Sequence, residues 1–187
     1  MTKHLSVSAL DEIARNTVGY YDGTADSFWE GTKDHDVQQN IMALLDAIGG
    51  AGPHRILDFG CGPGRDLLSF KALGHRPVGL DGSPRFCQMA FEYANVEVLN
   101  QNFLALDLPQ AGFDGVFCNA TLFHVPAQEL GQVLDALKQT LRMGGVLFSS
   151  NPRGKGEEGW NGARYGHYHN LESWTAAMTA AGFSAIG

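Results

Sequence analysis

Hydrophobic residues along this chain fall into two alternating patterns, short continuous apolar runs and longer stretches with a helical repeat. Each apolar run ends at or next to a glycine, an aspartate or an asparagine. Runs of this length without polar alternation are typical of strands buried on both faces of a sheet. The predicted strands are 55–59, 76–80, 96–99, 113–119 and 146–150. The alternation predicts an α/β protein of Rossmann-like type, with helices on both faces of the sheet.

The first 53 residues carry helical patterns and no strand pattern. A short helix is predicted over Ser8–Asn16, broken by Gly19 and by a turn over Tyr20–Gly23. A longer helix is predicted over Asp34–Ile48, because its apolar residues recur on one face. Gly49–Pro53 is interpreted as a connector, since too little chain precedes it to bury a core of its own. We therefore expect one domain over residues 1–187, made of a helical N-terminal segment, 1–53, and a core, 54–187.

In the core, further helices are predicted to begin at Arg65, at Pro84 and at Pro126. A last helix follows Asn170, whose side chain can cap it. The segment 151–169, between the fifth strand and that helix, is glycine-rich and aromatic. Long segments without a secondary-structure pattern are usually functional or disordered, and the aromatic and arginine content here favours a functional loop at the site.

The first apolar run ends in Asp58 and then opens into three alternating glycines, Gly60, Gly62 and Gly64. Glycine has no Cβ, so this turn can lie directly against a bound molecule. Strand, glycine turn and helix form the first half of a nucleotide-binding βαβ unit. A dinucleotide fingerprint would need a glycine where Arg65 stands. The carboxylate of Asp58 would also repel a pyrophosphate, whereas it suits a ligand that carries an ammonium group.

Composition narrows the class of partner. The net charge is −7 and no cluster of lysine and arginine is present, which disfavours a nucleic-acid backbone and favours a small substrate. No apolar run approaches the roughly 18 residues of a membrane span, and Met1–Leu10 lacks a signal pattern, so a cytoplasmic location is expected. Three cysteines without C-x-x-C spacing predict neither disulfides nor a metal site; they are Cys61, Cys87 and Cys118.

At Asp58–Gly64 the sequence resembles the first motif of the class I S-adenosylmethionine-dependent methyltransferases, an acid followed by G-x-G-x-G. The resemblance implies that the glycines approach the methionine part of the cofactor and that Asp58 helps to hold its amino group. It also implies that Asp81, about 20 residues after the glycine turn, accepts the ribose hydroxyls. The alternative role for Asp81 is to cap the helix that begins at Pro84, although Ser83 can serve that end.

Further cofactor contacts follow from the same resemblance. Asn102 stands where the family commonly has an acid that contacts the adenine amino group, and an amide oxygen can still accept that hydrogen bond. Tyr20, Tyr21, Phe28 and Trp29 are candidates for a helical lid over the cofactor. The predicted cofactor-binding residues are Tyr21, Phe28, Asp58, Gly60, Cys61, Gly62, Gly64, Asp81, Gly82, Ser83, Asn102, Phe103, Asn119 and Ala120.

Two stretches that flank the core, Gly31–Asn40 and Asn151–His169, resemble the 5-thiohistidine N-methyltransferases of ovothiol biosynthesis. Those enzymes are the last domain of a sulfoxide synthase or a separate protein, so a sulfoxide synthase is a predicted partner or neighbouring domain. The resemblance implies attack on S-adenosylmethionine by an imidazole nitrogen, with S-adenosylhomocysteine as product. The candidates for orienting that imidazole are Asp36, Asn40, His124 and Tyr165. The candidate substrate contacts are His35, Gln39, Phe123, Asn151, Arg153, Arg164 and Tyr168.

Several alternatives stay open at the level of sequence. The polar start of the Asp34–Ile48 helix is equally compatible with a solvated helix end, and His124 with a structural role. The chain is also compatible with a methyltransferase for another small metabolite, with a non-catalytic S-adenosylmethionine-binding module and with a nicotinamide-dependent oxidoreductase. The family's sheet ends in an antiparallel pair of strands, of which Phe183–Gly187 could form only the first. An open sheet edge, and with it a homo-oligomer, is therefore expected.

Overall fold

The computed structural model describes residues 4–186, and its centre is a five-stranded sheet in the order β3-β2-β1-β4-β5. Every neighbouring pair in this sheet is parallel. The strands are β1 (Arg55–Phe59), β2 (Arg76–Asp81), β3 (Val98–Asn100), β4 (Phe113–Asn119) and β5 (Leu141–Ser150). The strand order reverses between β1 and β4, and in open parallel sheets a ligand crevice forms at that point, beyond the carboxyl ends of the strands.

Seven α-helices surround this sheet in the described part of the chain. They are α1 (Val7–Gly23), α2 (Ala25–Thr32), α3 (Gln38–Ile48), α4 (Arg65–Ala72), α5 (Pro84–Ala94), α6 (Ala127–Thr140) and α7 (Leu171–Ala180). A separate antiparallel hairpin joins β6 (Glu157–Asn161) to β7 (Arg164–Tyr168). None of the helices within residues 4–186 is long and apolar enough to cross a lipid bilayer.

Both faces of the sheet are covered, as the continuous apolar runs predict. Successive residues of β1 point to opposite faces: Ile56 packs in a cluster with Leu44 of α3, whereas Leu57 packs in a second cluster with Leu134 of α6. Ile56 and Leu57 are completely buried. The predicted Rossmann-like architecture, with helices on both faces of the sheet, is therefore confirmed.

The N-terminal segment differs from its prediction. Helix α1 continues through Gly19 and the Tyr20–Gly23 segment, because its buried Thr17 and the aromatic ring of Tyr21 pack on the core. Such tertiary packing outweighs the roughly 1 kcal/mol that a glycine costs inside a helix. Helix α3 begins at Gln38 and not at Asp34. The Asp36 carboxylate accepts the backbone N–H of Gln38 at 2.9 Å, a local turn that competes with an earlier helix start.

The C-terminal part of the chain also differs from its prediction. The predicted loop 151–169 contains the β6–β7 hairpin, whose two-residue connection starts at Gly162 with φ of +62°. Glycine at that position favours a tight hairpin, and the strand pairing was hidden by the glycines within the strands. Strand β5 begins earlier than predicted, at Leu141, and its pairing with β4 shifts in register between Phe113 and Gly115. Residues 183–186 form no strand, so the prediction of a further strand there is wrong, and Gly187 lies outside the described residues.

Two of the sequence-based expectations concern the ends of the chain. Within residues 4–186, the outer edge of β5 has no neighbouring strand. The signal-pattern expectation for Met1–Leu10 falls partly on residues 1–3, which lie outside the described residues.

Candidate active site

A cavity of about 470 Å³ lies at the carboxyl ends of β1, β2 and β4, where α1 and α2 cover the crevice. Its volume is within the range of pockets that enclose small organic molecules. All of the predicted cofactor-binding residues except Asp58 and Gly64 line it. The cavity therefore collects residues from distant parts of the sequence, among them Tyr21 of α1, Gly62 after β1, Asp81 of β2 and Asn119 of β4.

The three glycines of the turn after β1 have different surroundings, although all have positive φ angles. A Cβ added to Gly62 would approach only the Phe28 ring, at 3.8 Å, so this residue faces open cavity. A Cβ on Gly60 would collide with the side chain of Thr121. A Cβ on Gly64 would lie 2.8 Å from the Cα of Ala90, because α4 and α5 are in close contact there. Gly62 and Gly60 line the cavity, whereas Gly64 permits helix packing behind it.

Asp81 ends β2 with its carboxylate held by the backbone. One oxygen accepts the N–H of Gly62 at 3.0 Å and the other accepts the N–H of Ser83 at 2.9 Å. Burial raises the pKa of Asp81 to about 6, against the lowering effect of these hydrogen bonds. Each carboxylate oxygen keeps acceptor capacity toward the cavity. The cap of α5 is Ser83, which accepts the N–H of Phe86, so the alternative capping role of Asp81 is taken by its neighbour.

Asp58 lies behind the glycine turn and is only 2% exposed. Its Oδ2 atom has no hydrogen-bond partner among the described residues. Burial, together with the nearby carboxylate of Asp66, raises the pKa of Asp58 well above its usual value. A buried acceptor without a partner is costly, and a ligand with an ammonium group near this turn would compensate it.

A polar network at the start of α4 was missed by the sequence analysis, which treated Arg65 only as the absence of a glycine. The Arg65 guanidinium bonds both oxygens of Asp66, at 2.7 and 3.0 Å, and also the carbonyl of Thr32 at the end of α2, at 3.0 Å. Asp66 accepts from the amide of Asn119 at 3.2 Å, and Asn119 in turn accepts from Asn40 at 3.2 Å. The network therefore ties the covering helices to the crevice, and a charged pair directly after a glycine turn is the signal that points to it.

His124 connects the covering helix α1 to the hairpin. Its Nε2 lies 2.8 Å from the hydroxyl of Tyr21, and its Nδ1 lies 2.7 Å from the carbonyl oxygen of Tyr165. Burial lowers the pKa of His124 to about 4, so the ring is neutral near pH 7. Arg164 donates to the Tyr21 hydroxyl at 3.4 Å and lies over the Tyr20 ring at 5.0 Å. Both Tyr21 and His124 line the cavity.

The remaining predicted site residues divide into two groups. His35 and Phe123 line the cavity. The other candidates do not line it: Asp36, Gln39, Asn40, Asn151, Arg153, Arg164, Tyr165 and Tyr168. Of these, Asn151 accepts the N–H of Phe123 at 3.1 Å, and the Tyr168 ring contacts the Phe123 ring. Burial raises the pKa of Tyr165 to about 12, so its phenol stays protonated.

The apolar wall of the cavity was not predicted. It comes from α1, whose residues here carry no charge, and two of them, Thr17 and Val18, lie beyond Asn16, where that helix was predicted to end. These wall residues are Ile13, Ala14, Thr17 and Val18. Across the described residues, no group of three or more histidine, cysteine, aspartate or glutamate side chains could hold a metal ion. The three cysteines are unpaired, and Cys61 lines the cavity.

Comparison with known proteins finds similarity to methyltransferases. Residues 56–145 match the model of a methyltransferase domain family. An uncharacterised methyltransferase of Mycobacterium bovis is 34% identical over 110 residues, which cover 56% of this chain and 54% of that protein. The chain thus spans about half the length of this curated relative.

Solved structures share the fold at low sequence identity. The N1-methyltransferase of Burkholderia thailandensis with bound 1,6-didemethyltoxoflavin and S-adenosylhomocysteine has a TM-score of 0.80 and 22% identity, and covers 99% of this chain and 84% of its own. A possible histamine N-methyltransferase of Thermotoga maritima has a TM-score of 0.70 and 19% identity, and covers 89% and 81%.

Proposed function

We propose that this chain is a class I S-adenosylmethionine-dependent methyltransferase and that it methylates a ring nitrogen of a small imidazole amino acid. The most specific form of the proposal is 5-thiohistidine, in the step that completes ovothiol A. The observation that carries it is a single cavity in which Asp81 and the glycine turn meet the Tyr21–His124 pair. The first set suits a nucleoside donor, and the second suits a flat acceptor with hydrogen-bonding nitrogens.

The donor would be held by residues whose geometry leaves room or acceptor capacity for it. Gly62 lets the backbone approach the ligand, and Asp81 has lone pairs left for two ribose hydroxyls. The unpaired oxygen of Asp58 would serve the amino group of the methionine part, directly or through a water molecule. Asn102 and Phe103 line the cavity at the position proposed for the adenine.

S-adenosylmethionine supplies a methyl group already activated by a sulfonium. The acceptor nitrogen forms the new N–C bond with its lone pair while the C–S bond breaks, and that electron pair stays on sulfur in S-adenosylhomocysteine. The positive charge that the ring gains is balanced in 5-thiohistidine by its thiolate. The task of the protein is therefore to hold an unprotonated nitrogen about 3 Å from the methyl carbon and in line with the breaking bond.

Support for an imidazole amino acid comes from the two stretches that flank the core. His35 and Val37 of the first stretch and Pro152 of the second line the same cavity. Arg164, in the second stretch, is close enough to bond Tyr21 and could pair with a carboxylate or a thiolate. Two proteins of the same fold are named as N-methyltransferases, one for 1,6-didemethyltoxoflavin and the other as a possible histamine N-methyltransferase. A sulfoxide synthase as partner stays a prediction.

The test is a competition assay with methyl-labelled cofactor, 5-thiohistidine and histidine, with products identified by mass spectrometry. We expect histidine to be poorer by roughly 10- to 100-fold in kcat/KM, because it lacks the charged sulfur and so loses about 1.5–3 kcal/mol of hydrogen bonding. The Asp81→Asn variant is the control, since it should weaken donor binding equally in both reactions. If histidine, or an unrelated phenol or amine, reacts as fast as 5-thiohistidine, the imidazole proposal fails and the methyltransferase assignment stands.

A further inference from the structure

The hydroxyl of Tyr21 stands where α1, the His124 turn and the hairpin meet at the cavity. Its oxygen is 2.8 Å from His124 Nε2 and 3.4 Å from Arg164 Nη1. The ring itself is held by an edge contact with Phe28 and a tilted contact with Phe86, with centroids 5.6 and 5.8 Å away. The position of this hydroxyl is therefore fixed from several sides.

The partners of His124 determine where the protons of this cluster lie. The carbonyl oxygen of Tyr165 can only accept, so Nδ1, at 2.7 Å from it, must carry the ring proton. In the neutral ring Nε2 then has a lone pair and must be the acceptor. The Tyr21 hydroxyl consequently donates its single proton to His124.

This arrangement leaves the Tyr21 oxygen as an acceptor. A phenol oxygen can accept two hydrogen bonds, and Arg164 supplies one at most. The other lone pair is available on the cavity side, since Tyr21 lines the cavity beside His124. A hydroxyl free to rotate could either donate to a ligand or accept from it. The proton of the Tyr21 hydroxyl is already donated to His124, so toward a ligand this oxygen can only accept.

We propose that the Tyr21 oxygen accepts the N–H of the acceptor ring and that His124 is the positioning residue that fixes the direction of the Tyr21 proton. This inference rests on the proposed function and deepens it. An imidazole bound to Tyr21 through its N–H presents its other nitrogen, which has the lone pair, to the methyl group. Tyr21 thereby selects the tautomer and determines which nitrogen is methylated.

His124 does not act as a general base in this scheme. Its Nε2 lone pair is already engaged by Tyr21, and the attacking nitrogen carries no proton that has to leave first. The role of the hairpin is equally indirect, because β7 supplies the Tyr165 carbonyl that orients the His124 ring.

The kinetic test uses Tyr21→Phe, His124→Phe and His124→Gln with 5-thiohistidine. Tyr21→Phe keeps the ring and removes the oxygen, so kcat/KM should fall roughly 10- to 100-fold, which is more than the affinity for S-adenosylhomocysteine should fall. His124→Phe should cause a similar loss, and the double variant should be no worse than either single one, because the residues act as a unit. His124→Gln should recover much of the rate, since its amide can donate to Tyr165 and accept from Tyr21.

A second measurement is independent of the acceptor. Nitrogen-15 NMR of His124 should show a protonated Nδ1 and an unprotonated Nε2 at neutral pH, in the wild type and in Tyr21→Phe. An Nε2–H tautomer would overturn the inference, as would wild-type turnover by Tyr21→Phe. If the wild type methylates a different compound, the proposed function fails, and the same variants are compared with that compound. If no compound is methylated, the tautomer alone decides whether His124 orients Tyr21.

Discussion

Asp81 shows how neighbouring groups can orient one side chain to bind a ligand. Two backbone N–H groups fix the orientation of its carboxylate, yet burial raises its pKa to about 6. The neutral form is therefore easily reached in the empty protein. Hydrogen bonds donated by ribose hydroxyls favour the ionised form, so ligand binding and loss of this proton are coupled.

The affinity for S-adenosylhomocysteine should therefore depend on pH below about 6. As the pH falls through the pKa of Asp81, the carboxylate takes up a proton and binding should weaken, by up to about tenfold per pH unit. Asp81→Asn should bind roughly 10- to 100-fold more weakly at pH 8 and should lose this pH dependence. Titration calorimetry between pH 5 and 8, values chosen to bracket the raised pKa, measures both effects. An unchanged affinity of Asp81→Asn would exclude the ribose role, and a pH dependence that persists in this variant would show that another group titrates.

At the scale of the element, the glycine turn serves two purposes that its sequence pattern does not separate. Gly62 faces the cavity, whereas Gly64 allows α4 to pack against Ala90 of α5. Both have positive φ angles, at which a side chain costs about 1–2 kcal/mol. Only the surroundings of the missing Cβ distinguish a residue needed for a ligand from one needed for the fold.

Alanine substitutions at these two positions should therefore have different effects. Gly64→Ala should destabilise the protein by about 2–4 kcal/mol, because the new methyl group meets backbone atoms that cannot move aside. Gly62→Ala should cost only about 1–2 kcal/mol of stability. It should reduce the affinity for S-adenosylhomocysteine by about tenfold or more, because the added methyl group would occupy space that the ligand needs. Thermal unfolding of both variants measures the loss of stability, and titration calorimetry measures the loss of affinity. Equal losses of affinity would show that both glycines face the ligand.

The β6–β7 hairpin is the second element with a role beyond its own pairing. It brings the Tyr165 carbonyl to His124 and the Arg164 guanidinium to Tyr21. The backbone N–H of Tyr165 also donates to Thr17 of α1 at 3.0 Å. The hairpin and the covering helix therefore stabilise each other at the rim of the cavity.

At the scale of the whole molecule, the covering helices are linked to the core by side chains distant in sequence. Asp22 of α1 accepts from Ser83 and from the N–H of Arg85, and Arg65 reaches the end of α2. These contacts join the covering helices to α4 and to the start of α5. The cavity is thus a property of the assembled molecule, since no single element encloses it.

The outer edge of β5 should promote self-association. Within residues 4–186 this edge has no neighbouring strand, and its unpaired backbone groups can pair with another chain. We expect sedimentation velocity to show species larger than the monomer, with a fraction that rises with protein concentration. Association that persists at high salt would be consistent with strand pairing, because surface ion pairs would be screened. A monomer at every concentration would mean that the edge is covered in solution.

The amino-acid sequence by itself determined the five strands of the central sheet, their burial on two faces and the place of Asp58 and Asp81 near strand ends. These features depend on local hydrophobic spacing and on glycine and aspartate at the ends of buried runs, which act over a few residues. Only the tertiary structure decided the length of α1, the pairing of β6 with β7 and the separate roles of Gly62 and Gly64. It also joined Tyr21 to His124 across 103 positions of the sequence. The physical reason is that each of these depends on packing or hydrogen bonds between distant segments, and no local pattern specifies such partners.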